Sequence, residues 1–295
     1  MRIVRDFEAE PLFELVMPSP LSVPILIDSP HSGRAYPEAF LRATRLDAVA
    51  IRRSEDAFVD DLCRPPPELG AAMLRAHFPR AWLDANREPL ELDPRMFVGR
   101  LPNGANTSSA RVTGGLGTIP RIVAEREEIY ARPIPIEEGL ARIDLAWRPY
   151  HRTLREALDA IHDRFGTAIL IDCHSMPSPQ RGGGDGRAEI VLGDRNGTSC
   201  RSALTDVVSA LLREAGYRVA RNKPYAGGYI TEHYGWPAHG VHALQIEISR
   251  ALYMNETTME ITAGFDRLRA DFTAVLGEIG REWRGILERG SMAAE

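Results

Sequence analysis

Short runs of apolar residues alternate along the chain with longer segments in which apolar positions recur about every 3.6 residues. The apolar runs at residues 23–29, 169–174 and 241–248 are rich in isoleucine, leucine and valine, a pattern typical of buried parallel strands. The longer segments predict helices over residues 47–62, 136–164, 198–215 and 257–289. Strands that alternate with helices indicate an α/β fold, here a three-layer α/β/α sandwich around a mixed, mostly parallel sheet.

The remaining elements follow from weaker patterns. Further strands are predicted at residues 71–77, 81–85, 189–192 and 217–220. Pro149 should kink the helix of residues 136–164, and Thr257 with Glu260 has the spacing of a capping box at the start of the last helix. Residues 86–131 lack periodicity and predict an ordered arm over a site, whereas residues 180–187 and 224–239 predict glycine-rich loops.

Composition limits the class of protein. A chain of 295 residues with 44% hydrophobic and 26% charged residues is long enough for one catalytic domain over residues 1–295. Its net charge of −5 argues against nucleic acid or an anionic membrane as a partner. Three cysteines cannot form a disulfide framework, and no signal peptide or membrane span is visible, so we expect a cytoplasmic protein.

Three predicted strands end in residues that can bind a metal or accept a proton. They lead to His31, His174 and Glu247. Because ligands bind at the carboxyl ends of strands in open α/β sheets, these side chains can converge from distant parts of the chain. Two imidazoles and a carboxylate predict a metal-dependent hydrolase that acts on a small molecule.

Each histidine has a sequence context that restrains it. Pro30 and Gly33 favour a rigid turn around His31, although a histidine that caps backbone groups in an ordinary turn is the alternative. Strand alternation puts Asp172 on the face of His174, where it can orient an imidazole, and puts Cys173 on the other face. We expect Cys173 to be buried and inert, not a nucleophile.

A third metal ligand is required because a catalytic zinc binds three protein side chains and keeps one position open. The acidic cluster at residues 54–62 supplies Asp56 as the candidate. The alternative is that this cluster is the solvated face of a helix.

Glu247 and Arg87 are the candidates for proton transfer and substrate binding. Glu247 lies between isoleucines, where desolvation would raise its pKa toward the range of a general base; an ion pair with Arg250 is the alternative. Asn86 and Arg87 close a predicted strand and can bind a carboxylate, unless Arg87 pairs with a neighbouring glutamate such as Glu91.

Taken together, the motifs resemble the N-formylglutamate amidohydrolase family. They are SPHSG at residues 29–33, EDAFVDDL at 55–62, PRAWLDANREP at 79–89, GLGTIP at 115–120, PYH at 149–151, DCHSMP at 172–177, LGDR at 192–195, GGYIT at 227–231 and QIEISR at 245–250. The resemblance covers most of the chain and extends to zinc carboxypeptidases, which implies a fold like theirs.

The resemblance implies hydrolysis of N-formyl-L-glutamate to glutamate and formate, a late step of histidine degradation, with one divalent metal ion, zinc. It implies His31, Asp56 and His174 as metal ligands, Glu247 as general base, and Asn86 and Arg87 as the substrate clamp. For the mechanism we expect Arg142 or Arg121 to pair with a substrate carboxylate as well. Zinc carboxypeptidases have a glutamate ligand three residues after their first histidine, where this chain has Arg34. Glu55 and Asp60 therefore remain alternatives to Asp56.

Two other functions remain open from the sequence. One is a related zinc amidohydrolase for another N-acyl amino acid, because the resemblance defines the chemistry better than the acyl group. The other is a non-catalytic protein that binds a metal or an acyl amino acid, against which the buried Glu247 argues.

Overall fold

The computed structural model describes residues 1–7, 11–123, 127–178 and 188–289. Its strands are, in chain order, β1 (Arg2–Val4), β2 (Phe13–Val16), β3 (Ile25–Ser29), β4 (Ala35–Pro37), β5 (Ala72–Ala76), β6 (Phe97–Val98), β7 (Ile134–Pro135), β8 (Ala168–Met176), β9 (Ile190–Gly193), β10 (Val219–Arg221), β11 (Val241–Ser249), β12 (Met254–Asn255) and β13 (Glu260–Ile261).

The α-helices of the described residues are α1 (Glu38–Ala43), α2 (Val59–Leu62), α3 (Ala110–Thr113), α4 (Ile136–Arg142), α5 (Arg148–Phe165), α6 (Ser202–Glu214), α7 (Tyr229–Tyr234) and α8 (Gly264–Glu288). Within the described ranges, none of the helices combines the length and apolar character that crossing a bilayer requires.

A seven-stranded sheet in the order β10-β9-β11-β8-β3-β5-β2 forms the centre of the fold. Strands β3, β8 and β11 run parallel to one another, whereas β9 runs antiparallel to β11. Every residue of β3 and β8 is buried, as the unbroken apolar runs predict. The predicted α/β class with a mixed, mostly parallel sheet is confirmed.

Residue contacts divide the chain into two compact units. The first comprises Met1–Glu14, Pro30–Ala57 and Arg75–Leu154; the second comprises Leu15–Ser29, Phe58–Leu74 and Arg155–Glu295. Strands β3, β8, β9, β10 and β11 belong to the second unit. A single catalytic domain over residues 1–295 stays a prediction.

The helix predicted over residues 47–62 is wrong. This segment contains only a 3-10 turn at Ala50–Arg52 and the short helix α2. The backbone of Phe58 has a φ of 66°, which stops a helix from running through it, and the N–H of Asp56 donates to the carbonyl of His31 at 3.0 Å. The local periodicity is therefore overridden by contacts with a distant segment.

Two further predictions of secondary structure are wrong. Residues 81–85 form turns, not a strand. The last helix begins at Gly264, not Thr257: β12 pairs with β13 across a turn in which Met259 has a φ of 57°, so the supposed capping box lies in a hairpin. The Asn255 side chain accepts the backbone N–H of Thr257 in that turn.

The other long elements agree with the patterns. Helices α4 and α5 are joined through a π-helical segment, Ile143–Trp147, which ends just before Pro149 and marks the predicted irregularity. The loop predicted at residues 224–239 contains α7, and residues 180–187 lie outside the described residues.

Gly33 is required where the chain leaves β3, because a Cβ there would lie 1.9 Å from the carbonyl oxygen of Phe78. We expect Gly33→Ala to lower the free energy of unfolding by about 1–3 kcal/mol or more, since backbone must move to admit a methyl group. Gly277 in α8 has no atom within 4 Å of an added Cβ, so Gly277→Ala should raise that free energy by about 0.5–1 kcal/mol. Urea unfolding measures both changes. Equal changes of the free energy of unfolding in the two variants would contradict the requirement for glycine at position 33.

Candidate metal centre and active site

His31 follows β3 by two residues, and its imidazole is buried between two carboxylates. Its Nδ1 lies 3.3 Å from Oδ2 of Asp56, and its Nε2 lies 2.6 Å from Oδ1 of Asp84. The backbone N–H of Asp56 donates a hydrogen bond to the carbonyl of His31, which holds the segments around these two residues together. The sequence-predicted pair of His31 and Asp56 is thus adjacent in the first unit.

Asp84 is the partner of His31 that the sequence did not reveal. Burial alone would raise its pKa, but the charges of Arg87, His31 and Arg80 outweigh burial and hold the pKa well below its ordinary value. Arg80 Nε lies 3.0 Å from Asp84 Oδ2, and Arg87 Nε lies 3.8 Å from the same atom. A metal-binding histidine commonly gives its second ring N–H to a carboxylate, so Asp84 suits that role and leaves Nδ1 toward Asp56.

The other acidic residues of the cluster have different surroundings. Glu55 accepts the Tyr36 hydroxyl at 2.5 Å and pairs with Arg52, whose Nη2 lies 3.0 Å from Glu55 Oε2. Burial, followed by the charge of Glu55, raises the pKa of Tyr36 well above its ordinary value. Asp60 is buried in α2. Because both oxygens of Glu55 are bonded to Tyr36 or Arg52, the geometry favours Asp56 as the ligand.

His174 lies within β8, next to the carboxylate predicted to orient an imidazole. Its Nε2 is 2.8 Å from Oδ1 of Asp172, which lies two residues earlier on the same face of the strand. Cys173 points to the other face, is a free thiol, and is buried. Burial raises the pKa of Cys173 well above its ordinary value, which disfavours the thiolate that a nucleophile requires.

Glu247 lies on β11 in register with His174 on the neighbouring parallel strand. The pair two residues earlier is Gln245 with Asp172. Register partners on parallel strands point to the same face of a sheet, so these four polar side chains share one face. The Glu247 carboxylate accepts a hydrogen bond from Nε2 of Gln245 at 2.8 Å.

Arg250 was the sequence-based alternative partner of Glu247. Its Nε donates to the Ser175 hydroxyl at 3.0 Å, and its Nη1 lies 3.6 Å from Oε2 of Glu256. The guanidinium therefore has a hydroxyl and another carboxylate as partners.

The donor groups fit a divalent metal ion. His31 and Asp56 in the first unit are 1% and 0% exposed, and His174 in the second unit is 3% exposed. Ligand atoms on one tetrahedral zinc ion lie about 3.4 Å apart at bond lengths of about 2.0–2.1 Å. Two imidazoles and one carboxylate are also the donor set of zinc hydrolases that keep one position open. Within the first unit, His31 and Asp56 lie close enough to bind one metal ion, with Nδ1 3.3 Å from Oδ2.

Arg87 is buried but remains a cation at neutral pH. Burial lowers its pKa to about 10, with the charge of Asp84 acting in the opposite direction. Its Nε donates to the Leu116 carbonyl at 3.0 Å, and its Nη1 donates to the Asn86 carbonyl at 2.8 Å. Nη2 makes no hydrogen bond to any residue that the structure describes, so it can donate to a ligand.

Arg142 is held by three groups of the first unit. Its Nη1 donates to the Trp82 carbonyl at 3.1 Å and to the Tyr130 hydroxyl at 2.5 Å, and its Nη2 pairs with Glu138. The guanidinium also lies over the ring of Phe40 at 5.6 Å. These contacts favour a structural role for Arg142.

Arg121 has two carboxylate partners. Its Nε lies 2.8 Å from Asp93 Oδ2, and its Nη1 lies 2.9 Å from Glu128 Oε1. The GLGTIP motif at residues 115–120 leads directly into this ion-pair network. A structural role is favoured here as well, which leaves Arg87 and Asn86 as the better candidates for substrate binding.

A mixed α/β sheet with buried imidazoles and carboxylates near its strand ends is typical of metal-dependent hydrolases. The N-formylglutamate amidohydrolase family model matches residues 23–254. N-formylglutamate deformylases of Pseudomonas putida and Pseudomonas aeruginosa are each 32% identical, over 80% and 79% of this chain and 83% of each relative. A crystal structure of N-formylglutamate amidohydrolase from Ralstonia eutropha JMP134 is 37% identical, with a TM-score of 0.85 over 92% of this chain and 98% of that one. The chain belongs to the N-formylglutamate amidohydrolase family.

We expect Asp56→Asn to lower the amount of divalent metal bound, because a neutral amide is a weaker ligand than a carboxylate. Glu55→Gln is the matched control: it changes the neighbouring carboxylate in the same way but should leave metal binding unchanged. Metal content after dialysis, measured by mass spectrometry, compares the two proteins. Loss of metal in Glu55→Gln with retention in Asp56→Asn would reverse the assignment.

Proposed function

We propose that this protein hydrolyses N-formyl-L-glutamate to L-glutamate and formate with one zinc ion held by His31, Asp56 and His174. The observation that carries the proposal is the buried contact of His31 with Asp56, 3.3 Å from Nδ1 to Oδ2, in a member of this family. The names of the relatives supply the substrate. Such a reaction belongs to a late step of histidine degradation.

Different residues of this chain have different roles in amide hydrolysis. A divalent ion held by His31, Asp56 and His174 would supply Lewis acidity to the reaction. Glu247 takes a proton from the attacking water and gives it to the glutamate nitrogen as the C–N bond breaks. Asp84 and Asp172 orient the imidazoles of His31 and His174.

Arg87 and Asn86 hold a carboxylate of the substrate. A buried guanidinium that stays protonated binds a carboxylate more strongly than an exposed one, because water competes less. Trp147 and His151 support this segment, since Trp147 Nε1 donates to the Arg87 carbonyl at 3.0 Å and His151 Nε2 lies 2.8 Å from the Ala85 carbonyl. A clamp fixed in this way orients the formyl group for attack.

We assign the reaction to the cytoplasm. All three cysteines are free and buried, which suits a reducing compartment. The substrate and both products are small molecules.

The test is formate release from N-formyl-L-glutamate beside the acetyl, succinyl and formimino derivatives, with and without added zinc. The formyl substrate should give the highest kcat/KM, and chelation should abolish turnover. Glu247→Gln should retain zinc yet lower kcat by about 10²–10⁴-fold, because it removes proton acceptance and preserves shape. Preference for another acyl group would overturn the substrate assignment, and loss of zinc in Glu247→Gln would make Glu247 a ligand.

Arg87→Lys keeps the positive charge but loses the planar fork, so we expect KM for N-formyl-L-glutamate to rise about tenfold or more with a smaller change in kcat. Arg80→Lys is the control because Arg80 also adjoins Asp84. Equal changes of KM in both variants would mean that Arg87 acts through Asp84 and that another group binds the substrate.

A further inference from the structure

Gln245 connects the motif that carries Glu247 with the GGYIT motif, which the catalytic assignment leaves unused. It lies on β11 two residues before Glu247, so both side chains are on the same face of the strand. Its Oε1 accepts the backbone N–H of Gly228 at 2.7 Å, and its Nε2 donates to Glu247 Oε1 at 2.8 Å. The GGYIT segment at residues 227–231 is thereby joined to the QIEISR segment at residues 245–250.

The direction of both hydrogen bonds is determined by chemistry. A backbone N–H can only donate, so the atom of Gln245 that meets Gly228 must be the amide oxygen. The amide nitrogen can only donate, so Glu247 must be the acceptor. The amide therefore presents a donor to the carboxylate, and it cannot rotate by 180° without losing both bonds.

Gly228 is itself held firmly. Its carbonyl accepts the Thr231 hydroxyl at 3.0 Å and the Glu232 backbone N–H at 3.2 Å, at the start of α7. Thr231 is fully buried. A peptide held on its carbonyl side offers its N–H in a constant direction, so the loop can orient Gln245.

We infer that Gln245 is the positioning residue for the general base: it holds the Glu247 carboxylate in the orientation that accepts the proton of the attacking water, and the Gly228 N–H orients Gln245 in turn. This inference rests on the proposed role of Glu247 in amide hydrolysis. A bond from a donor to a charged carboxylate is stronger than a neutral one, and geometric control of this kind supplies a substantial part of catalysis by a general base. Gln245 acts on kcat and has no direct part in substrate binding.

The test compares Gln245→Met with Thr231→Val. Both weaken the attachment of the Gly228 segment, but only Gln245→Met removes the donor to Glu247. We expect Gln245→Met to lower kcat about tenfold or more with a KM within about threefold of wild type. Thr231→Val should lower kcat clearly less, because the backbone N–H of Glu232 still holds the Gly228 carbonyl. In the Glu247→Gln background, Gln245→Met should cause little further loss, since no general base is left for Gln245 to position.

Equal losses of kcat in Gln245→Met and Thr231→Val would show that the glutamine acts only through the loop, and an unchanged kcat in Gln245→Met would also overturn the inference. The ratios are measured on whichever N-acyl amino acid the wild-type protein cleaves best, so a wrong substrate assignment does not affect them.

A second measurement needs no turnover. In the NMR spectrum of the full chain, the side-chain amide signal of Gln245 should move in Glu247→Gln and stay in place in Ser199→Ala. Ser199→Ala removes another buried hydrogen bond to β11, that from Ser199 Oγ to the Ala243 carbonyl at 2.8 Å. A Gln245 signal that is insensitive to Glu247→Gln would overturn the inference even if the protein proved inactive on every substrate tested.

Discussion

The polar residues of the first unit depend on the burial of the His31 imidazole between Asp56 and Asp84. A buried charge is costly unless an opposite charge or a hydrogen bond compensates it. Asp84 can remain ionised inside the protein because Arg87 and Arg80 lie beside it. The same guanidinium that we propose as the substrate clamp therefore also helps to fix the histidine through Asp84, and the positions of Arg87 and His31 are energetically linked.

In the second unit, too, buried polar side chains need partners, and the alignment of the strands places these side chains near one another. Asp172 lies 2.8 Å from His174 on β8, and Gln245 donates to Glu247 on β11, so polar groups that would be expensive alone on an apolar strand compensate one another in pairs. The register places the two pairs opposite each other. The sequence shows the alternation within each strand, because polar residues two positions apart must share a face. It does not show how the two strands are aligned. A shift of one residue in that alignment would move every side chain of one strand to the other face. Pairing His174 with Glu247 is thus a property of the folded sheet.

This difference explains how far prediction from the sequence could go. The strands that carry His174 and Glu247 were predicted within a few residues, because unbroken β-branched runs reflect burial on both faces. The helix over residues 47–62 failed because Glu55 and Asp56 form contacts with distant Tyr36 and His31, and these override local periodicity. Asp84 was seen only as the end of a supposed strand, since nothing in its neighbourhood reveals a histidine 53 positions earlier.

The chemistry of position 245 explains why an amide suits it better than a charged side chain. A group between a backbone N–H and a carboxylate must accept on one side and donate on the other, with a fixed separation. A glutamate could accept from Gly228 but would repel Glu247, and a lysine or arginine could donate to Glu247 but could not accept. Asparagine has the right groups on a side chain one methylene shorter. Glutamine can accept from the Gly228 N–H and donate to Glu247 without adding a charge. It can therefore hold the Glu247 carboxylate in place without placing another charge beside it.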